Sequence, residues 1–463
     1  MNQTDRIGTT GTGKLLVEFS LPAIIGMLVN AVYNIVDRIY VGQGVDPLGI
    51  AGITVVMPLM MALQASSMLI GIGANSLFSI RMGEGRRDMV EKIMSHAFLL
   101  LFFVPGIVIA ASFLFLDDII PILGASEAVF PFAKTYLRII LYGGVFSAMG
   151  PGINHFIRSD GHPKTSMFTQ IIGAVINIIL DPIFIFGFGW GIAGAAWATI
   201  ISQFISFVWV MYYFNSKRTM LRFRPALMRL EPTLTAQILA IGFAPFAMQL
   251  AMSLVGVMQN RILHAYGGDI AVASMGIVYS ILVIIYMPLM GLNQGAQPII
   301  GYNYGAKKYE RVLSTYKLSV IAGSIFAAAG FLLAQLSPGF FIAVFRNEKG
   351  ALMDMGILCL RVSCIMLPVI GFQVFSASYF QAVGKPLEST VLSLSRQILL
   401  YLPLLLLLPR FFGLNGVFFA MPVADLFSTA LTAVFMAAEL RRLRSMKNHS
   451  VLPRNETAVH LDN

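Results

Sequence analysis

The sequence predicts an all-α membrane protein with twelve transmembrane helices in two parallel six-helix repeats, and three observations carry that expectation. Of 463 residues, 57% are hydrophobic and only 12% charged, against about 25% charged in soluble domains. Apolar runs of about 20 residues, the length a bilayer requires, follow one another from Leu15 to Leu440. The second half also repeats the first at a spacing of about 223 residues. Pro22 matches Pro245, Arg38 matches Arg261, and Gly161-x-Pro163 matches Gly384-x-Pro386; with one residue of slippage, Gly191-x-x-Gly194 matches Gly413-x-x-Gly416.

In chain order the spans lie near 15–41, 48–78, 93–116, 131–157, 165–187 and 191–214, then near 234–265, 271–300, 312–336, 352–382, 387–409 and 414–440. Each is expected to be helical, because backbone exposed to lipid must satisfy its own hydrogen bonds and these runs exceed a barrel strand. Pro22 with Gly26 marks a bend in the first span, ahead of Asp37. Prolines 58, 105, 245, 288, 368, 403 and 422 predict kinks in later spans, where neighbouring helices can satisfy the freed carbonyl. Short turns, Gly42–Pro47 and Gly187–Gly191, join the first span to the second and the fifth to the sixth, and Asp117 and Asp118 close the third on a solvated loop. The strongest break is the loop from Asn215 to Glu231, with five basic residues. It divides the chain into an N-terminal lobe (1–214), a basic cytoplasmic linker (215–232), a C-terminal lobe (233–444) and a disordered cytoplasmic tail (445–463). Six is an even number, so both halves enter the membrane from the same side and the repeats are parallel.

The net charge of +10 is a topology signal and not a nucleic-acid footprint. With the N-terminus inside, Arg6, Arg81, Arg86, Lys164, Lys217, Arg222, Lys307, Lys385, Arg441 and Arg454 all fall on one side, while the other receives only Lys134, Arg346, Lys349 and Arg410. That asymmetry is the positive-inside rule. It predicts a multi-pass plasma (inner) membrane protein with both termini cytoplasmic. The short polar start runs directly into the first span without a small-residue cleavage site, so no signal peptide is expected. Cys359 and Cys364 share one apolar segment without facing each other, and predict no disulfide.

The repeat is imperfect at two buried acids. Asp37 falls opposite Asn260 and Asp181 opposite Leu404, although an acid at the centre of a membrane helix costs roughly 2.5–3.5 kcal/mol on insertion scales. Asn30, Asn34 and Asp37 are spaced i, i+4, i+7 and share a helix face, as do Asn177 and Asp181 at i, i+4. At a rise of about 1.5 Å per residue, Asp37 lies about a turn from the outer end of its helix, with Asp181 and Thr199 about two turns deep. These carboxylates, an amide and a hydroxyl form an all-oxygen set that suits a hard cation or a proton shared between acids. A purely structural pairing of Asp37 with Arg38 is disfavoured, because adjacent residues point about 100° apart on a helix.

Other polar residues are less specific. Asp425 in the twelfth span has no basic residue near it in sequence and fits either a second titrating site or a packing role. Gln64, Ser67 and Asn75 line the second span, and Asn293, Gln294 and Gln297 its repeat mate, while Gln249 and Gln373 stand alone in apolar segments. With 26 Met and 35 Phe, such positions suit a roomy cavity that re-packs around varied ligands, although most Met and Phe in such a chain face lipid or other helices. Enzyme motifs are absent: the six histidines show no metal spacing, and there is no GxSxG elbow or P-loop. No resident cofactor is expected, and transport energy would come from an ion gradient.

The segments Asn30-Ala-Val-Tyr33-Asn34-Ile-Val-Asp37, Asn177-Ile-Ile-Leu-Asp181-Pro182 and Gly191-Ile-Ala-Gly194-Ala-Ala-Trp-Ala-Thr199, with the loops Gly161-x-Pro163 and Gly384-x-Pro386, resemble the multidrug and toxic compound extrusion (MATE) family over about residues 14–440. Within it the resemblance runs to the bacterial MepA-like branch. The resemblance implies a V-shaped, two-lobed exporter, not an enzyme, that antiports cationic amphipathic drugs against Na+ or H+ by alternating access. It implies a cation site at Asp37, Asn177, Asp181 and Thr199, and polar cavity positions at Tyr136 and Asn154 beside Asn30, Asn34 and Gln64. Other branches carry acids on the seventh and tenth helices, where this chain offers Gln249 and, at an outer end, Asp354. The expected partners are small organic cations and the lipid bilayer, with no nucleic acid, and the expected state is a monomer. An alternative within the same superfamily is a flippase for lipids or lipid-linked oligosaccharides, for which only Arg261, Arg361 and Arg396 are available to hold phosphate.

Overall fold

A computed structural model describes residues 6–219, 221–345 and 350–451. The expected outer basic residues Arg346 and Lys349, together with Arg454 and the tail beyond residue 451, lie outside the described residues. What is described is a multi-span bundle of α-helices. In the N-terminal half these are α1 (Thr12–Gly44), α2 (Pro47–Gly83), α3 (Arg87–Leu114), the short α4 (Leu116–Ile122), α5 (Phe130–Ser159), α6 (Pro163–Pro182) with a π-helical turn at Ile183–Gly187, and α7 (Gly191–Asn215). The C-terminal half holds α8 (Pro232–Gly305), α9 (Tyr309–Leu336), α10 (Pro338–Phe345), α11 (Ala351–Ser363), α12 (Leu367–Ala382), α13 (Pro386–Leu394), a π-helical segment at Ser395–Tyr401, and α14 (Leu402–Val451).

Local chemistry sets the helix ends. Asp46 accepts a 2.8 Å hydrogen bond from Leu48 N ahead of Pro47 at the first helical position, an arrangement in which a side chain satisfies one free donor while proline needs none. At the other end of the N-terminal half, Gly161 (φ 90°) turns the chain before Pro163 starts α6, and Gly384 (φ 74°) does the same before Pro386. Both loop signatures read from the sequence therefore have one cause: a left-handed residue followed by a proline start.

Among the described residues, eight helices are long and apolar enough to cross a membrane, or nine if α11 and α12, bent by 50°, form one span. The expectation of twelve exceeds that count for two reasons: two runs are continuous where separate spans were expected, and α5 (Phe130–Ser159), expected as the fourth span, is not among the helices apolar enough to be counted. A straight helix of 74 residues, the length of α8, would reach about 110 Å, far beyond a bilayer. It carries a non-helical residue at Gly268 (φ 64°, ψ −163°), and α14 carries another at Gly413 (φ 55°, ψ −138°). The tail expectation also shifts. The helix of α14 continues past Arg444 to Val451, favoured by the helix propensity of the Arg, Leu, Met and Lys residues in it.

The linker is bonded to α3 along its length. Arg224 N donates to Ser95 Oγ at 3.2 Å, Arg224 pairs with Glu91 at 2.6 Å, and Glu231 pairs with Lys92 at 2.7 Å. Buried His96 bridges Arg229 O and Thr235 Oγ1, both at 2.8 Å.

The halves meet at one end of the bundle. Added side chains at Gly73 and Gly242 would strike the backbone oxygens of Ile238 and Leu69, and at Gly83 and Gly305 those of Tyr302 and Ile80. Nearby, the N-terminal segment is clasped by the C-terminal half: Arg311 donates to Ile7 O (3.1 Å) and Thr10 O, Lys308 to Gly8 O (2.8 Å), and Thr12 shares a 2.9 Å bond with Ser314. This sealed end is the basic one, carrying Arg81, Arg86, Lys307 and Arg311.

Candidate functional site

The polar face of α6 is built at helical spacing, with Gln170, Asn177 and Asp181 at i, i+7, i+11, and it packs between α1 and α7. After Asp181 comes Pro182, which has no N–H to continue the ladder, and the chain widens into the π-helical turn Ile183–Gly187. Such bulges cluster at functional sites. Two close approaches hold this one. A side chain at Gly44 would strike Ile185 and Phe186, and at Gly194 it would lie 2.8 Å from the Phe184 carbonyl. Tyr40 adds an edge-on ring contact to Phe186.

Asp37 of α1 and Asp181 of α6 lie close enough to act on one another electrostatically. Two ionised carboxylates are acceptors only and repel each other, so a proton or a cation between them would relieve that repulsion. Asp181 is completely buried, and neither of its oxygens has a hydrogen-bond partner in the chain. One turn earlier Asn177 is equally buried, with both amide atoms unpartnered. Tyr136, buried on α5, and Tyr33 on α1 face both aspartates. Thr199 lies on the buried face of α7 and donates to Ala195 O at 2.9 Å, leaving its oxygen lone pairs available. No basic residue pairs with Asp37 or Asp181 among the described residues. Fully buried polar groups are nearly always hydrogen-bonded, so this collection of free oxygens is suited to an occupant from outside the chain.

The remaining expected positions are placed differently. Asn30 and Asn34 are exposed and bonded to each other, Nδ2 of Asn34 donating to Asn30 Oδ1 at 2.9 Å. Gln64 is exposed on α2. Asn154 is buried, donating to Ser166 O at 3.1 Å, and sits about 27 Å from Tyr136 along α5 by helical rise. Tyr33 and Gln170 were not singled out in the sequence, although Tyr33 is one turn before Asp37 and Gln170 two turns before Asn177. Gly26 permits the Gln170 contact: a side chain there would lie 2.9 Å from Gln170 Oε1. An apolar cavity of about 350 Å³ between α3, α5 and α7, lined by Phe98, Phe102, Tyr142 and Phe146, shares no residue with the carboxylates.

A second buried charge centre lies in the C-terminal half. Arg396, in the π-helical segment, donates through Nε to Asp425 Oδ1 at 2.6 Å, and Tyr286 faces the pair. The partner of Asp425 comes from a neighbouring helix 29 positions away, which is why no basic residue was found near it in sequence. Among the described residues, no three of His, Cys, Asp and Glu converge on a metal position.

Comparison with known proteins follows the same division of the chain. The MatE family model matches twice, at residues 22–183 and 245–407. The multidrug export protein MepA of Staphylococcus saprophyticus is 27% identical over 430 residues, covering 92% of this chain and 94% of that protein. MepA of Staphylococcus aureus strain N315 is 28% identical over 429 residues, with coverage of 92% and 94%. Among solved structures, the MATE multidrug transporter DinF-BH in complex with R6G is 34% identical with a TM-score of 0.87, covering 95% of this chain and 98% of that one. A MATE structure in complex with MaL6, at 23% identity, has a TM-score of 0.88 with coverage of 96% and 99% and shows the shared fold.

Proposed function

The chain belongs to the MATE family, whose model it matches in both halves, and from that premise we propose the way it carries out secondary active multidrug export. It is a transporter, not an enzyme. Cationic amphipathic drugs leave in exchange for Na+ or H+ by alternating access. The observation that carries this reading is the pair Asp37 and Asp181, close together in apolar helices, in no ion pair among the described residues and with unbonded Asn177 beside them. An exchangeable cation supplies the missing charge, coordinated by Asp37, Asp181, Asn177 and Thr199 if it is Na+, or held between the two acids if it is H+. Export confers resistance to the drugs carried.

The same reading fixes the finer architecture. It has twelve spans in two parallel sets of six, an N-terminal lobe (1–214) and a C-terminal lobe (233–444) forming a V, and a cytoplasmic linker. The non-helical residues Gly268 and Gly413 support it, because each falls where one expected span ends and the next begins. Both termini lie in the cytoplasm of a plasma-membrane protein acting as a monomer. The positive-inside rule then places the sealed basic end inside, so the chain is in its outward-facing state. Asn30, Asn34, Gln64, Tyr136 and Asn154 are the polar cavity positions of this reading, with Asn154 furthest from the cation. Cation binding favours the state that has released drug outward, and its inward release resets the cycle. One charge moving inward supplies about 2.3 kcal/mol per 100 mV, enough for more than tenfold drug accumulation.

The flippase alternative loses support at its phosphate-holding residues. Arg396 is committed to Asp425, which leaves only Arg261 and Arg361 of the three. Dye efflux from everted vesicles, with Na+ and H+ gradients imposed separately, tests the whole reading. Asp37→Asn and Asp181→Asn are each expected to abolish efflux while the protein still reaches the membrane; undiminished efflux in both would overturn it.

A further inference from the structure

The two lobes treat buried carboxylates differently, and the difference points to a residue that sets how many ions the cycle exchanges. In the N-terminal lobe, among the described residues, neither Asp37 nor Asp181 is held in an ion pair, and the nearest basic group acting on Asp37 is its chain neighbour Arg38. In the C-terminal lobe, Asp425 is 1% exposed and receives Arg396 Nε at 2.6 Å. The surroundings of this pair are not those of an ordinary packing contact. The span made by α11 and α12 of the same lobe breaks with a 50° bend, Arg396 stands in a π-helical segment, and Tyr286 and Tyr401 lie close enough to interact with the pair. Broken helices and π-helical segments recur at ion and substrate sites of transporters.

The positions confirm that the pair is no copy of the N-terminal site. At the repeat spacing, Asp37, Asn177, Asp181 and Thr199 match Asn260, Leu400, Leu404 and Met421. Arg396 and Asp425 match Gly173 and Gln203. The lobe that lost the four-residue oxygen set therefore holds a carboxylate and a guanidinium of its own. A guanidinium stays charged at every physiological pH and is tethered to the chain.

We infer that Arg396 is an internal counter-cation, neutralising Asp425 in the C-terminal lobe as an exchanged ion neutralises Asp37 and Asp181 in the N-terminal lobe. Arg396 thereby keeps a second ion out of the cycle. The inference rests on the cation-coupled reading of the N-terminal site. Around Asp425 lie oxygens with no partner: its own Oδ2, Thr429 Oγ1 one turn along the same face, and Gln373 Oε1. Gln373 is anchored there through its amide nitrogen, which donates to Ser428 Oγ. Without the guanidinium, this set becomes an all-oxygen site of the kind hard cations occupy.

The test is a stoichiometry. Purified protein in proteoliposomes is loaded with ethidium, and cation uptake (22Na+ and internal pH) is measured per ethidium exported. Arg396→Gln is expected to raise cations exchanged per ethidium about twofold, because a second charge is then taken up in each cycle. Arg396→Lys keeps the wild-type ratio. Arg396→Gln/Asp425→Asn, which removes both charges, returns to it. An unchanged ratio in Arg396→Gln overturns the inference. If Arg396→Gln fails to fold, the double variant decides: folded with the wild-type ratio supports the inference, and folded with an altered ratio or no exchange overturns it. Asp37→Asn in the wild-type background separates the two ideas. If it still exports ethidium against a coupled cation, the N-terminal reading fails; an unchanged ratio in Arg396→Gln refutes the role of Arg396 alone.

Discussion

At the residue scale, the site is a matter of which polar atoms lack partners inside the chain. Thr199 donates its hydroxyl proton to Ala195 O at 2.9 Å, so its oxygen can only accept or coordinate. Thr199→Val keeps the shape and loses that oxygen. One such interaction contributes about 1 kcal/mol, so the cation concentration for half-maximal efflux should rise about fivefold with little change in the maximal rate. An unshifted cation dependence would remove Thr199 from the site. Asp160 makes a different prediction, outside the membrane spans. Burial holds its carboxyl above the usual carboxylate range, against hydrogen bonds from Tyr213 (2.6 Å) and Thr219 and the nearby charges of His162 and Arg87. A folded-state value above the unfolded one means the folded chain binds the proton more tightly. Stability should then fall as pH rises from the unfolded value through the folded one, and Asp160→Asn should flatten that decline in thermal unfolding across the acidic range. Asp37 and Asp181 were legible because each breaks both an apolar run and the repeat. Arg396 was not, since its partner stands on another helix and no spacing rule links positions 396 and 425.

At the element scale, spans could be read from apolar length, while their interruptions could not. Nothing in Ile183–Gly187 marks a π-helical turn in advance; the missing N–H of Pro182 and the close approaches at Gly44 and Gly194 together produce it. Gly194→Ala puts a methyl group 2.8 Å from the Phe184 carbonyl carbon, and backbone cannot yield as a flexible side chain does. The turn that seats Asp181 must therefore shift. The expected result is a protein that folds and inserts but couples poorly, with weakened cation dependence of ethidium efflux; wild-type coupling would show that the turn is incidental. The linker shows the same limit of sequence reading. Its five basic residues look like a free cytoplasmic loop, yet Glu91, Lys92, Ser95 and His96 recur along α3 to bind it. Removing the His96 ring leaves Arg229 O and Thr235 Oγ1 without these partners. His96→Ala should cost roughly 1–3 kcal/mol, visible as lowered thermal stability in detergent and absent if water replaces the ring.

At the scale of the whole molecule, alternating access requires the sealed end to open, so its contacts must be tight yet few. Helix backbones there approach at Gly73, Gly83, Gly242 and Gly305, contacts of area with little directional bonding, and the directional bonds are concentrated in the clasp on the N-terminal segment. Arg311 is its centre, reaching Ile7 O, Thr10 O and Asn303 Oδ1. Since residues 7–10 lead directly into α1, the clasp ties the helix carrying Asp37 to the opposite half. Arg311→Ala removes its two bonds to the N-terminal segment, to Ile7 O and Thr10 O. A loss of about 1.4 kcal/mol already shifts a two-state equilibrium tenfold, so this variant should move measurably toward the inward-open state. Spin labels on the exposed positions Glu84 and Lys307 would report it as a second, longer distance population, one that added drug enlarges and the coupling cation shrinks. A single, unchanged distance in Arg311→Ala would place the hold on the outward-facing state in the glycine contacts alone.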